Sequence, residues 1–309
     1  SRNDAQITAD NPLTDITVDN GELGTVTYDV DGTTTTVTMP VTYGTQTKNY
    51  VLTVDLLPMI NVNYYNTDGT LVGTQQIEQY SKIGTLAYGE GNVTVPEGKK
   101  FRGWFVTATG GRKVTADEVI EKELNIYAFA TLIETSEQIV GRYFDLRDEY
   151  FYAEDHEAFN PNGGAWHDKT HGWSFANGNS IDILVAGNAD IILGTCAYSS
   201  EGTITVGSAG TIDAKASTDG ALQTVHYEGA PGTVTITFNG TTYLHTLAII
   251  NEGAVTNGYY IVDKDNGDDF LTALNIANAT SAGAGYKIFL PNGTYNLGER
   301  ALNRVSANN

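Results

Sequence analysis

Strict alternation of branched or apolar residues with polar ones, broken at short intervals by Gly-containing turns, runs through most of this sequence and commits it to β-structure. Thr25-Val26-Thr27-Tyr28-Asp29-Val30 alternates without a fault. Successive side chains of a strand point to opposite faces, so a period of two gives one face to bury and one to solvate. Asp31-Gly32 follows, a pair suited to the positive φ angles of a tight hairpin. The strand resumes from Thr33 to Val41, and Tyr50 to Leu56 repeats the pattern. Val, Ile, Thr and Tyr dominate such runs because branched and aromatic side chains fit a pleated, half-buried surface. With 40% hydrophobic residues in 309, the chain has enough apolar side chain for packed cores.

Four segments emerge. Residues 1–58 carry the pattern just described and read as a small β-sandwich or sheet. They resemble the Ig-like or cadherin-like spacers of bacterial surface proteins, and nothing in them carries chemistry. Residues 59–133 begin with a strand from Ile60 to Tyr65 and a hairpin at Asp68-Gly69. The run Pro96-Glu97-Gly98-Lys99-Lys100-Phe101-Arg102-Gly103-Trp104-Phe105 follows, then a Gly110-Gly111 turn and a closing Leu124-Asn125-Ile126-Tyr127-Ala128 strand. This order resembles the Listeria–Bacteroides repeat, which implies a β-grasp-like spacer or adhesive unit of an exported protein. A module of this size needs a core tryptophan, and Trp104 is read as that.

Residues 134–256 open on Tyr143-Phe144-Asp145-Leu146-Arg147. Strands follow at Ser180–Ala186, Ile191–Tyr198, Gly202–Val206, Thr233–Phe238 and Thr242–Ile250, with Asn239-Gly240 as a hairpin turn. A sandwich of about eight strands is expected. Its opening segment, the Ala197-Tyr198-Ser199 step and the Thr237–His245 run are similar to carbohydrate-binding-module-like sandwiches of gut-bacterial pectinases. Between the opening and the first of these strands lies a Gly- and Asn-rich stretch, Phe159 to Asn179, read as a loop.

Residues 257–309 change character. Tyr259 to Val262 is a strand. Asp268 and Asp269 suit a helix start, where acids complement exposed N–H groups. Phe270, Leu274 and Ala277 recur at helical spacing, and Ile288-Phe289-Leu290 leads into Pro291-Asn292-Gly293. This resembles the N-terminal cap of a pectinesterase, the start of a right-handed parallel β-helix. The family's catalytic Asp, Gln and Arg residues belong to later coils, which do not occur before Asn309, and no residue here is assigned a catalytic role. An isolated β-helix start is expected either to pack back on the third segment or to be the least protected part of the chain.

The expected architecture is therefore mainly β: an Ig-like sheet, a β-grasp-like repeat and a β-sandwich in tandem, followed by a β-helix cap. The resemblances imply a non-catalytic targeting and spacer region of an exported, pectin-active enzyme, at the surface of a bacterium or outside it. A purely structural or adhesive stalk is the alternative.

Charge narrows the partners. A net charge of -20 repels phosphate backbones, so nucleic acid is excluded, as is bare anionic lipid. It equally disfavours de-esterified pectin. No apolar run reaches the ~18 residues of a membrane-spanning helix. Cys196 is alone, so no intramolecular disulfide forms. Its setting, Ile191-Ile192-Leu193-Gly194-Thr195-Cys196, predicts a buried structural thiol. Ser1-Arg2-Asn3-Asp4, without an initiator Met, reads as the start of an excised segment.

Candidate site residues come from the third segment. Sugars lay C–H faces on aromatic rings while polar groups fix their hydroxyls, so Trp166, His167 and Trp173 are candidate glycan contacts, with Tyr198 a fourth. A plant cell-wall polysaccharide is the partner these imply. No cofactor is expected. Asp263 to Leu274 fails as an EF-hand, with Asp268 where Gly is needed and Leu274 where Glu is needed. His167 and His171 are four apart but lie outside any helix and lack an intervening HExxH glutamate, so no metal is assigned.

Overall fold

The computed structural model describes residues 6–197, 202–214, 221–263, 269–279 and 287–292. Contacts divide the chain into two compact units. One comprises Ser1–Thr94, Gly103–Ala108 and Lys113–Ala128; the other comprises Val95–Arg102, Thr109–Arg112 and Phe129–Asn309. The fold is mainly β, built as successive sheets with a single helix among the described residues.

The first sheet is antiparallel and contains β1 (Glu22–Leu23), β2 (Thr27–Asp31), β3 (Thr34–Tyr43) and β4 (Gln46–Asp55). β4 pairs with β3 along its whole length, while β1 and β2 share the opposite edge. It is one sheet rather than a sandwich. Val37, Thr35 and Ile7 are buried, and the Thr35 hydroxyl donates to the Ile7 carbonyl at 2.7 Å. β4 is solvent-exposed almost throughout, including Tyr50, Val51 and Leu52.

The second sheet uses β5 (Met59–Tyr65), β6 (Leu71–Glu78), β8 (Lys99–Thr107), β9 (Gly110–Lys113) and β11 (Leu124–Leu132), in the order β6-β5-β11-β8-β9. β7 (Ser81–Lys82) and β10 (Val119–Ile120) pair separately. β5 and β11 are parallel, as a β-grasp-like module requires, although the segment between β7 and β8 holds a single 3-10 turn at Glu90–Asn92 in place of a helix. Trp104 is fully buried, edge-on to Tyr64, and its indole N–H donates to the Tyr88 carbonyl at 2.7 Å. A satisfied indole in contact with Tyr64 is a core residue, not a surface platform.

Among the described residues the sandwich has eleven strands where about eight were expected. They are β12 (Gly141–Asp145), β13 (Phe159–Asn162), β14 (Ala165–Asp168), β15 (Gly172–Phe175), β16 (Ser180–Val185), β17 (Ala189–Ala197), β18 (Gly202–Val206), β19 (Gly210–Ala214), β20 (Ala221–Tyr227), β21 (Gly232–Asn239) and β22 (Thr242–Asn251). One sheet runs β14-β15-β22-β17-β20, with β12 also on β22; the other runs β13-β16-β21-β18-β19. Phe144, Phe159, Phe175, Phe238, Leu193, Leu247 and their neighbours fill the space between the two. Each such side chain, moved from water to the interior, contributes roughly 1.5–3 kcal/mol. The stretch read as a Gly-rich loop thus supplies β13, β14 and β15. Four-residue strands are too short to display a period, and the positive-φ glycines 163, 164 and 172 that bend the chain between them read as loop residues.

The tail adds β23 (Val255–Thr256), β24 (Tyr259–Ile261), α1 (Asp269–Ala279) and β25 (Lys287–Phe289). β24 and β25 are parallel. The tail packs back on the sandwich: Tyr260, Val262, Ala273 and Ile276 bury against Ile192, Ala248 and Ile250 of β17 and β22. Tyr260 anchors it. Its oxygen accepts the Gly141 N–H at 2.8 Å, and its hydroxyl donates to Asp269 Oδ1 at 2.6 Å. The other Asp269 oxygen accepts the Asp263 N–H at 2.6 Å.

Candidate functional site

The hairpin of β14 and β15 forms one end of the six-stranded sheet and carries three of the four candidate residues. Trp166 and Trp173 are register partners, so both rings leave the same face of the hairpin. β15 lies directly on β22, and Trp173 enters the core, 9% exposed, with Phe151, Phe159 and Phe175 about it. It offers no free face to a sugar. Trp166 stands on the edge strand, 39% exposed, its indole N–H 3.5 Å from the Arg147 carbonyl oxygen. Arg147 in turn reaches Asp145 at 3.3 Å. Tyr198 lies outside the described residues.

His167, one position on from Trp166, leaves the opposite face. There its ring centroid is 5.0 Å from that of Tyr243, and the His171 ring is 5.1 Å from Tyr243 on the same side. The connecting turn explains how two histidines of a Gly-rich stretch meet. Asp168 Oδ1 accepts the backbone N–H groups of Thr170 and His171, at 2.8 and 2.7 Å, in an Asx-type turn. Gly172 then returns the chain onto β22. Its φ is +80°, and a Cβ there would lie 2.4 Å from the Leu244 carbonyl oxygen, so the position is closed to other residues. The turn holds Asp168 Oδ2 2.9 Å from His171 Nδ1 and 3.5 Å from His167 Nε2.

These donors determine the local electrostatics. The His171 side chain, then the backbone N–H groups of His171 and Thr170, hold the Asp168 carboxyl down to about 2. Cys196 pairs with Tyr243 across β17 and β22 and is buried; burial and then the Asp168 charge push its thiol up, so it stays protonated. His245 lies farther along β22 with its ring against Gly194, where any Cβ would collide with it. Its Nδ1 is 2.9 Å from Thr246 Oγ1, while Nε2 is buried without a hydrogen-bond partner. Burial, and then Arg147, lower its pKa to about 4.

Sequence reasoning thus grouped residues that the sheet separates. Trp166 and Trp173 share one face, His167 the other, and the partners of His167 are Asp168, His171 and Tyr243. The Asp-x-Thr-His spacing carried the signal for the turn. Tyr243, some seventy residues on, could be found only from strand pairing.

A cavity of about 410 Å³ is lined in part by Glu134, Gln138, Arg142 and His156. Its charged groups serve the fold. Arg142 donates to the Thr135 carbonyl at 2.8 Å and to Gln138 Oε1 at 3.3 Å, and Glu134 accepts the Ala158 N–H at 2.8 Å.

No family model and no curated protein matches the sequence. Among solved structures, the C-terminal CBM6 of LamC, a marine laminarinase from Zobellia galactanivorans, is 11% identical over 36% of this chain and 99% of its own, with a TM-score of 0.24. A peptidoglycan O-acetylesterase is 14% identical over 50% of this chain and 53% of its own, with a TM-score of 0.23. The chain therefore spans about half of that esterase. At such scores neither fold nor function is inferred from the likeness.

Proposed function

We propose that this chain is a non-catalytic targeting and spacer region of an exported bacterial enzyme acting on pectin, and that its sandwich binds a neutral or methyl-esterified cell-wall glycan. The observation that carries the reading is Trp166. It is an indole on an edge strand, partly open to solvent, oriented by the Arg147 carbonyl and flanked by the Arg147–Asp145 pair. A sugar needs this combination of an apolar ring for its C–H face and charged hydrogen-bonding groups for its hydroxyls. The parent enzyme, on the resemblance of the tail, is a pectin methylesterase whose catalytic carboxylates lie outside this chain.

Affinity electrophoresis against pectins, arabinans, galactans and xylans tests the proposal. A single stacked ring contributes about 1–3 kcal/mol, by analogy with bases on aromatic side chains. Binding should therefore be weak, roughly micromolar to millimolar. Trp166→Ala should abolish most of the retardation while leaving the melting temperature nearly unchanged. No retardation by any glycan favours the stalk reading, for which the exposed Tyr50 and Leu52 on one face of β4 would supply a contact surface.

A further inference from the structure

We propose that the face of the β14–β15 hairpin opposite Trp166 is a divalent-cation site, with His167 Nε2, the Asp168 carboxylate and His171 Nδ1 as its protein ligands. The three groups offer one ligand atom each within 4.8 Å of one another. Their closest separations, 2.9 Å from Asp168 Oδ2 to His171 Nδ1 and 3.5 Å to His167 Nε2, bracket a useful value. Tetrahedral ligands on bonds of about 2.0–2.1 Å stand about 3.3 Å apart. These two edges therefore reach that value with shifts of a few tenths of an ångström, and the two imidazoles lie within 4.8 Å of one another.

The set is also held in place before any ion arrives. Two backbone N–H groups fix Asp168 Oδ1, which leaves Oδ2 turned toward both imidazoles. Both rings rest on Tyr243, which is itself buried on β22. Their order in the chain, His, Asp, then His three residues later, comes from the turn and needs no helix. Two imidazoles with one carboxylate suit a borderline ion such as zinc, whereas calcium and magnesium select all-oxygen sites. The side chains of His167 and Asp168 are 47% and 39% exposed, so the fourth position faces solvent and a water can complete the tetrahedron.

Without an ion, His171 Nδ1 is in hydrogen-bond contact with Asp168 Oδ2 at 2.9 Å. An ion would replace that contact by taking the Nδ1 lone pair, with the ring proton carried on Nε2.

Titration of the metal-free chain with zinc chloride at pH 7.5, followed by calorimetry, tests the site. One equivalent should bind, at least tenfold more tightly than calcium or magnesium. Cobalt(II) should give the visible absorption of a four-coordinate nitrogen and oxygen site. His167→Ala, on the exposed side of the hairpin, should weaken zinc at least tenfold, as should His171→Gln. His226→Ala, at the separate His226–Asp190 pair, should leave affinity unchanged. So should Trp166→Ala, which separates this site from the glycan reading. Absence of saturable zinc binding overturns the proposal, as does binding that survives both His167→Ala and His171→Gln in chains whose circular dichroism is native.

Discussion

Trp166 and Trp173 are the same residue type, face one another across two short strands, and have opposite fates. What separates them is their place in their own sheet: Trp173 is on β15, paired with β22 and packed against Phe159 of the facing sheet, while Trp166 is on the last strand. Alternation tells which face a residue takes and is silent on whether that face is covered there. The same limit hid His245, a histidine whose surroundings come from Gly194 on the neighbouring strand. Its pKa of about 4 lies below the unfolded value of about 6.5, so between these values the unfolded chain binds the extra proton. Its contribution is fully present above pH 6.5 and is lost as pH falls toward 4, at most about 3 kcal/mol. Glu157 acts lower. Its carboxylate forms a two-pronged pair with the buried Arg102, at 2.7 and 2.8 Å, and Arg102 holds it down to about 2. Its contribution is complete above the ordinary carboxylate range and is lost as pH falls toward 2. Urea titrations from pH 7.5 to 3 should therefore show two steps. His245→Gln should flatten the step between pH 6.5 and 4, and Glu157→Gln the step below it. A further consequence concerns Cys196, which the apolar run around it already marked as buried. A disulfide reagent such as DTNB should leave it unmodified in the native chain at pH 8 and label it fully in urea.

At the scale of elements, strands with a clear alternating run were legible, the short β16 and β18 among them, and strands without one were not. β17, β21 and β22 lie within two residues of their sequence readings because each has eight or more residues and one face in a core. β13, β14, β15, β19 and β20 were missed. Their pairing is decided by neighbours distant in sequence, and glycines at positive φ disguise the hairpins as loops. The tail was legible as strand, helix and strand; its docking surface was not. That surface depends on Gly141, where a Cβ would lie 2.5 Å from a ring carbon of Tyr260 and 2.7 Å from Ile276 Cδ1. Neither atom can give way without opening the contact between the tail and β12. Gly141→Ala should cost about 1–3 kcal/mol, the usual range for overpacking. The loss should be local. Hydrogen exchange should accelerate in β24 and α1 while β16 and β21, on the other sheet of the sandwich, keep their protection. Uniform acceleration through the sandwich would show that tail and sandwich open as one unit.

At the scale of the whole molecule, charge selects among ligands that a single aromatic ring cannot distinguish. The chain carries 37 acidic against 17 basic side chains. No helix among the described residues is long and apolar enough to cross a membrane. A galacturonan bears one carboxylate per residue when de-esterified and none when fully methylated, so the two polymers differ in charge far more than in shape. Exposed like charges repel over the screening distance, about 30 Å at 0.01 M salt and about 8 Å at 0.15 M. The penalty against polygalacturonate should accordingly be large at low ionic strength and small near physiological salt. Binding to a methyl-esterified pectin or a neutral arabinan should hardly change, because it depends on Trp166 and short-range hydrogen bonds. Affinity electrophoresis of the whole chain at 10 and 150 mM sodium chloride provides the measurement. The ratio of retardation by esterified pectin to that by polygalacturonate should exceed one at 10 mM and fall toward one at 150 mM. Trp166→Ala should lower retardation by both polymers at either salt while leaving the direction of the salt effect intact, since the charge is spread over the chain and the ring is not part of it. Stronger retardation by polygalacturonate at 10 mM would mean that a local basic group, with Arg147 beside Trp166 the first to replace, overrides the net charge.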